Sequence, residues 1–449
     1  MNKRETLLTQ SPFRLMFKLC TPAIVGMVII ALYSFMDGVF AGQMIGKEAM
    51  AAVSIAYPWT FCNNGVATLI GIGSASVLSR AIGQKDKDTV DGIMGNLMVN
   101  VFLFSMVIMV LGTVFAKPLL SLSGASGEIL DLAVRYLRVV LLGSFFVNFA
   151  QSANMVLRGE GRMHIAMGIM IIGAILNILL DPIMILAFGS RGIEGAAVAT
   201  VFSQLITAGL TLYYFKKKSE VVRIGRLRIE KRIEKAVLSV GISAMMFQVL
   251  TLVQQTLLYR MAFHYGGDVQ GILMGATLRI QAFSFIPLWG MAQGLQPVVG
   301  TNYGAKAYDR VQKVIRVFLL GVTALGLIFW IPVMLFPEPI LGLFIRNREI
   351  VASGVTNFRI FYSVFPLYGA MIMTVTFFQS IGHGKIAGSL VLLRQIILFV
   401  PMMLLLPRAF GLEAVWCTIP LVEGIVIPLG MIILYLSCRR LPVPAPVSS

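Results

Sequence analysis

Ile175-Leu176-Asn177-Ile178-Leu179-Leu180-Asp181-Pro182 lies inside an apolar run from about Met163 to Phe188. A run of that length is long enough to cross a bilayer as a helix. Asn177 and Asp181 are four residues apart, so on a helix they share one face. A carboxylate at that depth is costly and normally faces a cavity rather than lipid. The plainer alternative is that Asp181 only caps a helix broken before Pro182.

The rest of the chain is of the same kind. Of 449 residues, 57% are hydrophobic and 13% charged, about half the charged share of a soluble protein. The apolar runs are continuous rather than alternating, which selects helices over a barrel. The net charge of +17 does not point to nucleic acid, because the basic residues fall between the apolar spans. That is the pattern of loops facing anionic lipid. Cys20, Cys62, Cys417 and Cys438 are scattered, as are His164, His264 and His383, and neither set has ligand spacing. No cleavable signal peptide is expected, since the first apolar span runs well past Pro22.

Twelve spans are expected: Leu15–Ala41, Ala49–Ile82, Gly92–Phe115, Gly127–Val156, Met163–Phe188, Gly192–Phe215, Ala236–Phe263, Val269–Val299, Val311–Phe336, Val351–Ile381, Ile386–Pro407 and Gly411–Ser437. The most polar stretch, Lys216–Lys235, separates a lobe over residues 1–215 from one over 236–449. With the N-terminus inside, inner segments hold 25 of the 37 Lys and Arg and outer loops hold 10. Both termini and the basic linker are therefore expected in the cytoplasm.

The halves repeat. Gly83-Gln84-Lys85 matches Gly304-Ala305-Lys306, Gly159-Glu160-Gly161 matches Gly382-His383-Gly384, and Gly192-Ile193-Glu194 matches Gly411-Leu412-Glu413. Six spans separate each pair, so the repeats are parallel and related by a pseudo-two-fold along the membrane normal. The expected fold is an all-α polytopic membrane protein of two six-helix lobes, an architecture of transporters.

Polar residues inside the first lobe agree in depth. Asp37 lies in the outer half of the first span, Asn177 and Asp181 in that of the fifth, and Thr200 in that of the sixth. Two carboxylates with amide and hydroxyl oxygens suit Na⁺. They equally suit a proton, since burial and a neighbouring like charge both disfavour a second negative charge. Thr200 has a plainer role open to it, bonding its own helix backbone. Pro22 sits fifteen residues before Asp37 and favours a kink, fixed or switchable. In the second lobe Arg279 and Arg394 are intramembrane charges, accompanied by Gln255 and Gln281, with Glu413 and Glu423 as the nearest acids. They read as buried arginines paired with carbonyls or acids; a part in handling substrate is the alternative. Met and Phe along a cleft would give an adaptable apolar surface. No nucleotide-binding or hydrolytic motif is present, which leaves an ion gradient as the energy source.

Taken together, Ser34-Phe35-Met36-Asp37-Gly38, Leu157-Arg158-Gly159-Glu160-Gly161-Arg162, Asn177–Pro182, Gly195–Thr200 and Gln293–Gly300 make the chain resemble the multidrug and toxic compound extrusion (MATE) family, in its MepA-like branch. The resemblance implies twelve helices around a central cavity and export of amphipathic, often cationic drugs in exchange for H⁺ or Na⁺. It implies that Asp37 and Asp181 hold the coupling ion with Asn177 and Thr200 beside them, that Tyr33 and Asn154 add polar groups, and that Pro22 marks a bend of the first helix. Some relatives carry acids in the seventh and tenth spans. Here the seventh offers Gln255 and the tenth has none, so coupling is expected to rest on the first lobe. The expected partners are organic cations and the lipid bilayer, with no nucleic acid; the expected form is a monomer in the cytoplasmic membrane, without cofactor or catalytic residue. The rivals are a flippase for lipid-linked precursors, a membrane enzyme and an ion channel.

Overall fold

The computed structural model describes residues 3–441, and among them every regular element is a helix. Helix α1 is Pro12–Phe40, prolonged by a π turn over Ala41–Ile45; α2 is Lys47–Gln84 and α3 is Lys87–Val114. Then come α4, Gly127–Leu142, and α5, Ser144–Gly159. Next are α6, Met163–Phe188, α7, Gly192–Tyr213, and α8, Lys231–Gly304. Helix α9 is Tyr308–Leu335, α10 Arg348–Tyr362, α11 Phe365–Ser380 and α12 Gly384–Leu392. After a π turn at Leu393–Leu398 follow α13, Phe399–Phe410, and α14, Leu412–Arg439.

Nine helical stretches among the described residues are long and apolar enough to cross a membrane. Two of them hold more than one crossing length. Met163–Lys218 passes through a 3₁₀ turn at Gly189–Arg191, and Lys231–Gly304 passes through Gly267, whose φ of 65° is not helical. The expected fourth and tenth spans are each broken, at Gly143 and at Ser363-Val364. The charges Glu128, Asp131, Arg135 and Arg138 make the fourth stretch too polar to read as one apolar crossing. The linker expected over 216–235 is irregular only for residues 219–230, and α8 takes its last five residues.

The chain forms two compact units. One gathers Val25–Met245; the other gathers Glu5–Ile24 and the residues from Met246 onward. The first helix is therefore shared, with Pro22 on one side of the division and Asp37 on the other. In the first unit α2 is the central helix: 89% of its apolar window is buried, against 22% for α3. Its small residues, among them Ala67, Gly71, Gly73, Ser74 and Ala75, let neighbours approach to backbone distance. Close packing of small residues is what holds helices together where lipid is as apolar as leucine. Helix α3 instead turns Phe102, Leu103, Val107, Val110 and Leu111 outward as a lipid-facing stripe.

The repeat is written into the backbone. Lys85 and Lys306, 221 positions apart, are the two described non-glycine residues with positive φ, and both have φ of 59°. At the same spacing Gly161 and Gly382 have φ of 80° and 85°, and the short helices Ala116–Leu122 and Pro337–Gly342 begin.

Candidate cation site in the first unit

The site grows from the α6–α7 hairpin. Helix α6 runs unbroken through Pro182 to Phe188, so Asp181 lies inside it and does not cap a helix end. Pro182 has no N–H to donate, which frees the carbonyl of Ile178 one turn back. Helix α7 comes close because Gly195 has no side chain: a Cβ there would stand 2.4 Å from the carbonyl oxygen of Met184. This approach sets Thr200 opposite Asn177.

The Asn177 amide donates to Asp181 Oδ1 at 3.2 Å and to Thr200 Oγ1 at 3.3 Å. The Thr200 hydroxyl donates in turn to the Ala196 carbonyl at 3.2 Å. Asp181 is fully buried and Asn177 nearly so. Asp37, half-buried on α1, reaches across to contact Asp181, side chain to side chain, and accepts a hydrogen bond from the Tyr136 hydroxyl of α4. Tyr33 stands near Tyr136. Two carboxyl oxygens in contact are tolerable only with a proton on one of them or a cation between them. Asp181 Oδ2 and Asn177 Oδ1 are buried without a donor. The chamber therefore offers acceptors, and among the described residues no basic side chain bonds them.

Of the residues singled out in the sequence, Asp37, Asn177, Asp181 and Thr200 come together, with Tyr33 at the edge. Asn154 spends its amide on the Ala166 carbonyl at 2.7 Å. Tyr136 was not foreseen. Its signal lies in α4, where Ala133, Tyr136, Leu137 and Val140 form one buried face, so a hydroxyl among them needs a polar partner.

Pro22 lies inside α1 without ending it. In the second unit Gln255 is half-buried, and Arg279 is exposed and lies near Tyr259. The expectation of a buried, paired Arg279 is corrected: its side chain is exposed, and no described acid lies within ion-pair distance. Arg394 is buried and paired, with Glu423 at 2.5 Å, while Glu413 is exposed. The position 221 residues beyond Asp37 is Leu258, which is buried, so the second repeat puts an apolar side chain where the first has its carboxylate.

A multi-pass helical membrane protein with two repeats and a polar chamber inside one of them defines a transporter and not an enzyme. The MatE family model matches residues 22–183 and 237–405, and the chain belongs to that family. It is 24% identical over 433 residues to the multidrug export protein MepA of Staphylococcus aureus (strain MSSA476), covering 96% of this chain and 95% of that protein. Among solved structures it is similar to a complex of the MATE multidrug transporter DinF-BH, at 35% identity and a TM-score of 0.87, over 94% of this chain and 95% of that one. A MATE structure in the bent conformation superposes with a TM-score of 0.92 at 27% identity, over 98% of both chains.

Proposed function

We propose that this transporter is a multidrug efflux antiporter of the cytoplasmic membrane with twelve crossings. It exports amphipathic, often cationic compounds in exchange for H⁺ or Na⁺ taken up at Asp37 and Asp181. The observation that carries the reading is the contact between these two carboxyl groups in a chamber with unpartnered acceptors and, among the described residues, no basic side chain bonded to them. The names of the relatives support the drug side of it.

The cycle follows from electrostatics. With the chamber empty, two negative charges repel across a poorly solvated space. A proton or a small hard cation removes that repulsion and draws α1 toward α6, with Asn177 and Thr200 supplying neutral oxygens. Pro22 gives α1 a place to bend as Asp37 moves. A helix that is straight when empty and bent when loaded closes the space a drug occupies, so drug leaves as the ion enters. Both termini and the basic linker face the cytoplasm in this scheme, following the distribution of Lys and Arg.

The test is efflux of an ethidium-like cation from energised cells carrying Asp37→Asn or Asp181→Asn, followed by counterflow in proteoliposomes under separate pH and Na⁺ gradients. Both variants should lose uphill export while still binding dye, and one gradient should drive the native protein. Native-rate pumping by both variants at normal expression would overturn the assignment.

A further inference from the structure

The second unit carries an open groove of about 180 Å³ that the transport cycle does not use. It lies where α9 begins and α14 ends. This exceeds the roughly 150 Å³ of an apolar cavity that admits benzene. Its walls are Ile315, Leu319, Met431 and Leu434, and its mouth carries Arg316 and Arg439. Both arginines are exposed, and neither has a carboxylate within ion-pair distance among the described residues. Arg439 lies over the Tyr435 ring at 5.6 Å, which orients its guanidinium without neutralising it. The Gln312 amide donates to the Cys438 carbonyl at 2.8 Å and pins the end of α14 to α9.

We infer that this groove binds one anionic phospholipid, with an acyl chain between Leu319, Met431 and Leu434 and the phosphate between Arg316 and Arg439. Three observations select that occupant. An apolar slot capped by two unpaired cations complements an amphiphile with a negative head. The same arginines repel the organic cations proposed as cargo, so this is not a second drug site. The corresponding place in the first repeat is already filled by the chain: 221 positions before Arg316 stands Gly95, where an added Cβ would lie 2.1 Å from the Arg226 carbonyl oxygen of the linker. Arg316 leaves no such room for backbone, and instead offers charge.

The experiment is native mass spectrometry of the full-length, delipidated protein in detergent. Phosphatidylglycerol or phosphatidylcholine is titrated in at equal concentration. One tight phosphatidylglycerol copy is expected, and the Arg316→Gln/Arg439→Gln protein should bind it about thirty-fold more weakly, each basic contact near an anionic group contributing about fivefold. Met431→Trp, which fills the slot while keeping both charges, should lose the same copy; Lys313→Gln, exposed on the same end of α9, should keep it. Equal binding of the two lipids would overturn the inference. So would an undiminished copy in the double variant, or occupation by glycerol phosphate without acyl chains. Transport by these variants is a separate readout, so failure here leaves the antiport reading standing, and the reverse.

Discussion

Arg394 Nε donates to Glu423 Oε1 at 2.5 Å in the second unit, and the same guanidinium lies over the rings of Phe247 and Tyr368 at 5.7 and 5.6 Å. The Glu423 side chain is fully buried and that of Arg394 is 7% exposed. Arg394 sits on the π turn Leu393–Leu398, an extra residue in the helix that re-aims the side chain. Removing one member leaves an uncompensated buried charge, which costs about 3–5 kcal/mol, whereas replacing both with apolar residues is close to neutral. Glu423→Leu alone should therefore melt well below the native protein in detergent. The Arg394→Met/Glu423→Leu protein should recover most of the loss. Thermal unfolding followed by tryptophan fluorescence checks this, and identical melting of single and double variants would refute it.

In the first unit the Tyr136 hydroxyl bonds Asp37, whereas the Thr200 hydroxyl bonds its own helix at Ala196. A hydrogen bond to a charged group contributes about 1.5–3 kcal/mol, roughly ten- to a hundred-fold in an equilibrium. Tyr136→Phe should slow dye efflux about tenfold or more at unchanged expression. Thr200→Val removes a neutral hydroxyl that bonds Asn177 and would face a bound cation, a smaller loss than a bond to a charged group, and should cost about threefold. Efflux rates of the two variants side by side decide it; the reverse order would make Thr200, not Tyr136, the principal neighbour of the carboxylates.

The positions of Asp37, Asn177, Asp181 and Thr200 were legible because charge and amide are rare in apolar runs and because i, i+4 spacing fixes a shared face. The repeat was legible at Lys85 and Lys306, which the sequence matches and whose backbones agree, but the next loop comes out two residues out of register: the sequence pairs Gly159 with Gly382, whereas the backbone pairs Gly161 with Gly382. Tyr136 was hidden because a tyrosine in a span is ordinary filler until its neighbours are known. At the break the need for Gly143 was hidden because it is tertiary: a Cβ there would lie 2.5 Å from the Val201 side chain. Arg279 and Arg394 look alike in the sequence, and only the packing shows that one is exposed and the other meets Glu423.

Close approach of α2 to the first part of α8 depends on two glycines. A Cβ on Gly241 would stand 1.8 Å from the Leu69 carbonyl oxygen, and one on Gly73 would stand 2.3 Å from that of Val237. Backbone cannot yield as a side chain can, so Gly241→Ala must separate the helices, at a cost of about 1–3 kcal/mol or more. Gly209, on α7, faces open space. Gly209→Ala should be neutral or stabilising by about 0.5–1 kcal/mol, through the helix preference of alanine over glycine. The monodisperse fraction remaining after stepwise heating separates the two, and equal loss would contradict the packing argument.

Asp86 caps α3 on the loop after α2 and gives the protein a pH dependence outside the membrane. Its carboxylate accepts from the Thr89 hydroxyl at 2.7 Å, from the Thr89 backbone N–H at 3.1 Å and from Arg232 at 3.1 Å. These hydrogen bonds, with Arg232 beside them, hold its carboxyl below the usual carboxylate range. A lowered value in the folded state means the stabilisation is complete above the unfolded carboxyl's value, about 3.9, and is lost as pH falls through the folded one. At neutral pH Asp86→Ala should cost about 1 kcal/mol, the usual loss for an N-cap. That gap should narrow as the pH falls below the unfolded carboxyl's value and the native carboxylate in turn takes up a proton and weakens as an acceptor. Asp86→Asn keeps a capping oxygen and should melt near the native protein, with a flatter pH profile. Melting curves of the three proteins across this range provide the check. Native and Asp86→Ala curves that stay parallel to the acid end would show that the cap carries no linked proton.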